Sequence, residues 1–342
     1  MEKIRIGVIC PSEIAFRRFM PALIKNASFE YIGIATASLS EWSSSDVVQN
    51  DNAVLNSEKE KAQKFTELYK GRTFASYGDL LSSPDIDAVY IPLPPALHYK
   101  FGQLALEEGK HVFMEKPFTT NLSDTKSLIT LAGARKLAIH ENYMFQYHSQ
   151  LCFIHDVISQ GQLGDLRLVR IAFGFPFRGV NDFRYKKPLG GGALFDCGGY
   201  TVKLASLFLG DNARISTANL NYVGGIEVDL FGSATMTDEN GLTAQLSFGM
   251  DNNYKCEIEV WGSKGSLFTN RVLTAPDGFE PIVTIQTSEG MRDYNLPADD
   301  TFSKSIKVFE ECVKDETARS LNTKSIMKQA TLISEFARRC EK

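Results

Sequence analysis

The chain has 342 residues, 43% of them hydrophobic, and a formal net charge of −4 at pH 7. This length exceeds what one hydrophobic core usually supports, so two domains are expected. The near balance of charge without a basic patch argues against nucleic-acid binding, and no apolar run reaches the roughly 18 residues that a membrane-spanning helix needs. A soluble globular protein is predicted.

The cysteines and histidines indicate whether disulfides or a metal site are to be expected. The six cysteines are scattered without a C-x-x-C pair, and the five histidines show no ligand spacing. The pattern predicts neither disulfides nor a metal site, and it fits a reducing compartment. The opening MEKIRIGVIC runs directly into a strand and lacks the layout of a signal peptide. We therefore expect a cytoplasmic protein.

Residues 1–140 alternate predicted strands and helices. The first two strands are near-continuous apolar runs, KIRIGVI and EYIGIAT, with an amphipathic helix between them. A capping box at Ser57 and Glu60 predicts the start of the next helix, and Ser123 is expected to cap a later one. Further strands are predicted over RTFAS, IDAVYIPL, KHVFMEK and LAIHE. This series predicts a doubly wound parallel sheet, an α/β dinucleotide-binding architecture.

The polar segment 38–56, SLSEWSSSDVVQNDNAVLN, interrupts this alternation directly after the second strand. Its Ser, Asn and Asp content predicts an insertion loop. Two interpretations stay open: a tolerated surface insertion, or a segment beside the adenosine end of a nucleotide site.

Residues 141–342 follow another pattern and are expected to form an α+β domain. Alternating strands such as DLRLVRIAFGF and KCEIEVWG, joined by short turns, predict a large, open and mostly antiparallel sheet. A glycine-flanked helix over 190–210 interrupts the strands. The stretch from Phe302 to Arg339 is predicted to be helical and to pack back on the first domain.

The turn after the first strand is the first candidate for nucleotide binding. Where a Rossmann turn reads G-x-G-x-x-G/A, this chain has only Ala15 at the third position and small side chains elsewhere. A nucleotide-binding turn and a plain strand–helix connection both remain open. The residues of this turn are Cys10, Pro11, Ser12, Glu13 and Ile14.

Two further turns follow consecutive strands at the edge where open α/β sheets bind ligands. The first carries Pro92, Leu93, Pro94 and His98, and the second carries Glu115, Lys116 and Pro117. A lysine directly after a buried strand is positioned by the sheet, which favours a role at the site.

With these residues the chain resembles the Gfo/Idh/MocA oxidoreductases. The resemblance covers nearly the whole sequence, and its marks are the E-K-P triplet 115–117, the spacing of Pro94 and His98, and the segments 141–150 and 190–200. It implies a Rossmann domain that binds NAD(P) and a C-terminal domain that shapes a sugar site. It also implies a cis Lys116–Pro117 bond and a homodimer or homotetramer formed through the C-terminal sheet.

The resemblance also implies catalytic residues. It places Lys116 beside the nicotinamide and brings Asp196 and, four residues on, Tyr200 to the substrate. Tyrosine where the family usually has histidine resembles the 3-ketoreductases of nucleotide-linked deoxysugars. Dihydrodiol and aldose dehydrogenases share it, so free sugars, inositols and dihydrodiols remain alternative substrates. A non-catalytic NAD(P)-binding regulator is a further alternative.

Acid–base chemistry fits these residue types. A phenol, with a pKa of about 10, protonates the alkoxide that hydride transfer leaves, and an ammonium stabilises the developing charge. Tyr200 is therefore the expected proton donor and Lys116 the polarising cation, with Asp196 binding a sugar hydroxyl or orienting Lys116. Packing for Tyr200, capping for Asp196 and a purely structural lysine are the competing interpretations.

The second strand ends without an acidic residue, which favours NADP over NAD. The expected cofactor contacts are the five residues of the first turn together with Thr36, Ser38, Pro92, Leu93, Pro94, His98, Glu115, Lys116 and Asn142. Pro95 replaces an asparagine usual in the family. A loop rich in cations and aromatics suits an anionic sugar ligand such as a diphosphate. The expected substrate contacts are Tyr147, Arg178, Asn181, Arg184, Tyr185, Asp196 and Tyr200.

Overall fold

The computed structural model describes residues 2–43 and 51–341. Its contacts divide the chain into two units. Unit 1 comprises Met1–Asn142, Pro188–Gly190 and Phe302–Met327, and unit 2 comprises Tyr143–Lys187, Gly191–Thr301 and Lys328–Lys342. Within the described residues, no helix combines the length and the apolar character required to cross a bilayer.

Unit 1 contains a six-stranded sheet whose strands are all parallel. The strand order is β3-β2-β1-β4-β5-β6, so the chain reverses its direction of winding between β1 and β4. This is the doubly wound sheet that the sequence predicts. The strands are β1 (Ile4–Ile9), β2 (Phe29–Ala35), β3 (Arg72–Phe74), β4 (Ala88–Ile91), β5 (His111–Met114) and β6 (Ile139–Glu141).

Helices cover this sheet because their apolar faces pack on buried strands. Phe19 stacks on Tyr90 with ring centroids 3.8 Å apart, and both rings are buried. A π-helical turn, Ala15–Phe19, precedes the first helix. The helices of unit 1 are α1 (Met20–Leu23), α2 (Leu39–Ser43), α3 (Asp51–Tyr69), α4 (Tyr77–Leu81), α5 (His98–Glu107), α6 (Leu122–Arg135) and α9 (Thr301–Lys314).

The predicted loop over 38–56 is wrong where the chain is described. α2 occupies its beginning and α3 begins at Asp51, while 44–50 lie outside the described residues. The capping box at Ser57 is also wrong, because that residue lies inside α3. Glu58, Ala62 and Phe65 are buried at helical spacing, so this face of α3 packs inward despite the polar composition.

The cap of α6 differs from the prediction as well. The Asn121 side chain accepts a hydrogen bond from the backbone N–H of Asp124 at 2.9 Å. Ser123 lies in the first turn and its hydroxyl donates to the Asn121 side chain. Either residue type can cap a helix, and the extended backbone of Asn121 decides which one does.

Unit 2 contains an eight-stranded sheet of order β14-β13-β12-β11-β7-β10-β9-β8. Only the β7–β10 pair is parallel, so the prediction of a mostly antiparallel sheet is confirmed. The last three strands were not predicted individually. The strands are β7 (Leu166–Gly174), β8 (Arg214–Tyr222), β9 (Asp229–Thr237), β10 (Thr243–Gly249), β11 (Lys255–Gly262), β12 (Gly265–Asn270), β13 (Ile282–Thr287) and β14 (Gly290–Asn295).

Helices cover one face of this sheet. α7 (Ser149–Ser159) was not predicted from the sequence. A π-helical turn, Leu194–Gly198, leads directly into α8 (Gly199–Leu209), which carries the glycine-flanked segment. α10 (Glu316–Cys340) follows α9, and its residues from Lys328 onward belong to unit 2. Phe336 of α10 packs against Phe248 of β10 with ring centroids 5.7 Å apart.

Candidate active site

The carboxyl ends of β1, β4 and β5 form the candidate cofactor edge of unit 1. β1 and β4 are neighbours at the point where the strand order reverses, which is where open α/β sheets leave a crevice for ligands. The turns after these three strands therefore lie along one edge. They carry most of the predicted cofactor contacts.

The turn after β1 has the backbone of a glycine turn. Cys10 has φ 75°, in the left-handed region that glycine favours. The Ser12 hydroxyl accepts a hydrogen bond from the Ala15 N–H at 3.2 Å, and Ala15 is fully buried. The segment therefore keeps the shape of a dinucleotide turn, and its first helical turn packs closely on the sheet. These residues fit a dinucleotide.

Two carboxylates stand at the end of β2, and sequence reasoning missed both. Glu58 is 6% exposed and accepts hydrogen bonds from the Ala37 N–H at 2.7 Å and the Tyr77 hydroxyl at 3.0 Å. Glu41 accepts from the Ser38 N–H at 2.8 Å. Glu58 lies in α3 and Glu41 in α2. Neither residue directly follows β2 in the sequence, so a search for an acid at the end of that strand does not find them.

The Cys10 thiol belongs to the same cluster. Its Sγ donates to Oε1 of Glu58 at 3.5 Å. Burial, followed by the Glu58 carboxylate, raises the pKa of Cys10 far above its ordinary value. The thiol is therefore a protonated donor at neutral pH, and it lacks the character of a nucleophile.

His98 joins two of the candidate turns. Its ring nitrogens contact the backbone oxygens of Leu93 and Pro117, each at 2.7 Å. The ring is fully buried, and burial lowers the pKa of His98. The side chain thus holds the end of β4 against the turn after β5. Its predicted contact to a cofactor stays a prediction, and its hydrogen bonds are made to the protein's own backbone.

Lys116 follows β5 and is half-buried. Its bond to Pro117 is cis, as the resemblance implies. The preceding Glu115 accepts hydrogen bonds from the Tyr90 hydroxyl and from the Asn142 side-chain amide, each at 2.7 Å. Burial raises the pKa of Glu115.

The network behind Lys116 reaches the C-terminal segment of unit 1. The Ser305 hydroxyl, on α9, donates to the Asn142 side-chain oxygen at 2.8 Å and contacts Nε2 of His140 at 2.9 Å. Asn142 thus links Glu115 to α9, and its predicted contact to a cofactor stays a prediction. A buried polar network of this kind holds the turn that carries Lys116 rigidly.

In unit 2, Asp196 lies in the π-helical turn before α8 and Tyr200 in the first turn of α8. The Leu194 N–H donates to the Asp229 carboxylate at 2.7 Å, and burial raises the pKa of Asp229. Asp229, on β9, therefore fixes the entry of the helical segment that carries Asp196 and Tyr200. The sequence gave no signal for Asp229, because this residue lies far from Leu194 in the chain.

Asp196 is paired with an arginine. The Arg184 side chain donates through Nε to Asp196 at 2.7 Å and contacts Asp182 through Nη1 at 3.1 Å. The side chains of Arg184 and Asp196 are 21% and 13% exposed. The sequence suggested a loop of several cations for an anionic ligand, but the charge of Arg184 is already matched by two carboxylates.

The other predicted substrate residues lie in different environments. The Tyr185 hydroxyl donates to the Met250 carbonyl oxygen at 2.8 Å and accepts the Arg178 N–H, so this side chain supports the loop. The Arg178 guanidinium is exposed and lies 4.5 Å from the centroid of the Phe175 ring. Asn181 is exposed and Tyr147 is half-buried.

Tyr200 lies in an aromatic environment that was not predicted. Its side chain is 7% exposed, and its ring lies 5.2 Å from Tyr143, 5.3 Å from Phe173 and 5.7 Å from Phe145, measured between centroids. The contacts with Tyr143 and Phe173 are edge-to-face, and such contacts hold a ring in one orientation. The phenol is thus held by packing, as a proton donor at a fixed position requires.

Comparisons with known proteins agree with this architecture. Residues 28–143 match the NAD-binding Rossmann fold of the oxidoreductase family Gfo/Idh/MocA, and residues 153–268 match its C-terminal domain. The chain is 37% identical over 331 residues to a dTDP-3,4-didehydro-2,6-dideoxy-alpha-D-glucose 3-reductase of Actinomadura kijaniata, covering 96% of this chain and 93% of that protein. The enzyme of the same name from Streptomyces violaceoruber is 36% identical, with the same coverage.

The fold of the chain also matches that of a solved structure. KijD10, a 3-ketoreductase from Actinomadura kijaniata in complex with NADP and TDP-benzene, superposes with a TM-score of 0.90 at 34% identity, covering 99% of this chain and 98% of that one. Other solved structures of KijD10 carry a tyrosine-to-phenylalanine or a lysine-to-alanine replacement.

Proposed function

The chain belongs to the Gfo/Idh/MocA oxidoreductases, and on this premise we propose that it is a sugar-nucleotide 3-ketoreductase that uses NADP(H). The observation that carries the proposal is similarity over nearly the full length to 3-reductases of dTDP-linked deoxysugars. It is supported by the turn after β1, where Cys10 adopts the left-handed backbone that a dinucleotide turn requires.

The proposed catalytic residues are Lys116, Tyr200 and Asp196. The lysine and tyrosine replaced in the KijD10 variants are separated by the same number of residues as Lys116 and Tyr200. A phenol and an ammonium are the groups that ketone reduction needs, since a negative charge develops on the oxygen and a proton must reach it. Spacing and chemistry thus support the same pair.

The mechanism assigns each residue a separate task. When bound, the reduced nicotinamide supplies the hydride that the carbonyl carbon receives. Tyr200 donates its phenolic proton to the carbonyl oxygen as that oxygen becomes an alkoxide. The Lys116 ammonium stabilises the negative charge on this oxygen and then on the phenolate. Asp196, held by Arg184, accepts a hydrogen bond from a sugar hydroxyl.

Residues of unit 1 would make the contacts to the cofactor. The turn from Cys10 to Ile14 would hold the pyrophosphate, Thr36 and Ser38 the adenosine ribose, and the turns after β4 and β5 the nicotinamide half. In unit 2, the loop with Arg178 and Asn181, together with Tyr147, would bind the nucleotide-linked sugar.

The eight-stranded sheet has an exposed face with several large apolar side chains. The strand register places Phe231, Trp261, Phe268 and Ile282 on this face. Exposed apolar patches on a sheet mark interaction surfaces, so we propose a homodimer or homotetramer formed through this face. Sedimentation of Trp261→Glu beside the unchanged protein tests it. We also propose a cytoplasmic location, in line with the scattered cysteines.

Binding and turnover together test the proposed function. The purified protein is titrated with NADPH and with NADH, and nucleotide fluorescence is followed. Turnover is then assayed with dTDP-linked keto-deoxysugars beside free sugars and inositols. We expect binding, and turnover only with the nucleotide-linked ketones. Binding of neither nucleotide at millimolar concentration would overturn the proposal, and binding without turnover of any substrate would favour a regulatory protein.

A further inference from the structure

The edge after β2 contains two carboxylates at a place where the sequence shows no acid. In doubly wound folds the residues after the second strand face the adenosine ribose, and an acid there binds its 2′-hydroxyl. Thr36, Ala37 and Ser38 occupy this position. Glu58 and Glu41 reach it from α3 and α2 through hydrogen bonds to Ala37 and Ser38.

Four donors converge on the Glu41 carboxylate. Its Oε2 accepts from the Ser38 N–H at 2.8 Å, from the Ser38 hydroxyl at 2.9 Å and from the Tyr77 N–H at 3.2 Å. Its Oε1 accepts from the Gly78 N–H at 2.8 Å. An anionic phosphate would use the same kind of donors, so Glu41 engages the hydrogen-bonding capacity that a 2′-phosphate needs.

The surrounding charges add to this effect. Glu58 is buried and accepts hydrogen bonds from the Tyr77 hydroxyl and the Ala37 N–H, so a second carboxylate stands beside the first. Arg72, which begins the neighbouring β3, is paired with Asp85 at 2.6 Å. Its charge is therefore already offset. A dianionic phosphate at this edge meets carboxylates where a dedicated NADP site offers a cation.

We propose that Glu41 determines coenzyme discrimination in this protein. While its carboxylate accepts from Ser38, Tyr77 and Gly78, Glu41 withholds these donors from a 2′-phosphate, whereas the uncharged 2′-hydroxyl of NAD(H) does not need them. NADP(H) binds only when Glu41 leaves these donors to the 2′-phosphate. The inference rests on the proposed function in one respect, that a nicotinamide dinucleotide binds to unit 1.

Two variants and a matched control test this role. Glu41→Gln removes the charge and keeps the size of the side chain, and Glu41→Ala frees all four donors. Glu60→Gln, on the exposed side of α3, removes the same charge elsewhere in unit 1. Dissociation constants for NADPH and NADH are measured by nucleotide fluorescence, and the thermal unfolding midpoint reports whether each variant is folded.

We expect both Glu41 variants to tighten NADPH binding relative to NADH by about tenfold, which is about 1.4 kcal/mol, while Glu60→Gln leaves the ratio unchanged. An unchanged ratio in folded Glu41 variants, or an equal shift in Glu60→Gln, would overturn the role of Glu41 and leave the proposed function standing. Failure of the unchanged protein to bind either nucleotide would overturn the proposed function itself.

Discussion

Arg184 holds Asp196 through a hydrogen-bonded ion pair of 2.7 Å within unit 2. The same guanidinium contacts Asp182 at 3.1 Å. Although burial disfavours its charged form, the Asp196 and Asp182 carboxylates raise the pKa of Arg184. Asp196, a proposed substrate ligand, is therefore fixed by a neighbouring loop and does not depend on its helix alone.

Replacing Arg184 is expected to impair both stability and activity. Arg184→Met leaves Asp196 largely buried without its cation, which should cost about 3 kcal/mol of unfolding free energy. We expect kcat/KM to fall by about tenfold or more, because Asp196 loses its fixed position. Urea unfolding and steady-state kinetics measure the two effects. Arg167→Met, at an exposed arginine of unit 2 outside the proposed site, controls for loss of charge, and equal behaviour of the two variants would contradict this role.

Removing the proposed proton donor should reduce chemistry while leaving the protein folded. Tyr200→Phe keeps the ring packed against Tyr143 and Phe173. We expect kcat to fall by about two orders of magnitude, and Lys116→Ala to lower it by at least as much. Binding of NADPH to Tyr200→Phe should change little. The exposed Tyr222→Phe is the control. Full activity of Tyr200→Phe would refute its role as proton donor.

Cys10 offers a direct test of the turn after β1. Its φ of 75° is costly for a residue with a Cβ, by about 1–2 kcal/mol. Cys10→Gly and Cys10→Ala both lose the thiol that contacts Glu58. We therefore expect the glycine variant to be more stable than the alanine variant by about 1 kcal/mol, measured by urea unfolding. An alanine variant at least as stable would show that the left-handed backbone carries no such cost.

Gly192 should tolerate no side chain beside Asp229. Its φ is 127°, and an added Cβ would lie 2.5 Å from Oδ1 of Asp229. Gly241 also has a positive φ but has open space around it. We expect Gly192→Ala to lose about 1–3 kcal/mol more unfolding free energy than Gly241→Ala, because only the first adds a clash. Equal losses in urea unfolding would mean that Asp229 moves aside freely.

His111 predicts a pH dependence of stability. Burial, followed by the Arg319 charge, lowers its pKa to about 4, and its Nδ1 accepts the Ala138 N–H at 2.9 Å. Between pH 6.5 and about 4 the unfolded state therefore binds more protons, so the unfolding free energy falls as pH falls. We expect His111 to account for a loss of up to about 3 kcal/mol across this window.

The difference between the unchanged protein and His111→Gln isolates this contribution. Urea unfolding at pH 7.5 and pH 4.5 should show a smaller loss in His111→Gln than in the unchanged protein. His155→Gln, at an exposed histidine, should behave like the unchanged protein. A pH response that His111→Gln leaves intact would assign the loss to other groups.

The long elements were predictable because their local pattern agrees with their burial. β1 and β4 read as apolar runs and are buried on both faces. α3 was predicted to begin at Ser57 because its first turns are polar, although Leu55 and Ala62 pack inward. β14 was missed because it is largely exposed and lacks apolar alternation, whereas β12 and β13 were missed although buried residues alternate in both.

The candidate site also contains some residues that the sequence predicted and others that it did not. Lys116 and Tyr200 were predicted from motifs, whereas the residues that hold their surroundings, Ser305 and Asp229, were not. These supporting residues come from distant parts of the chain. No local pattern marks a single polar side chain that becomes a partner only after folding.

The sequence by itself determined the class of fold, the likeness to the oxidoreductase family and the residue types available for ketone reduction, because strand periodicity and short motifs are local properties. Only the tertiary structure decided what neighbours those residues have. It gave Cys10 the backbone of a glycine, placed the carboxylates of Glu41 and Glu58 at the end of β2, and paired Asp196 with Arg184. Such contacts arise when segments distant in sequence pack together, and their distances set the electrostatics of the site.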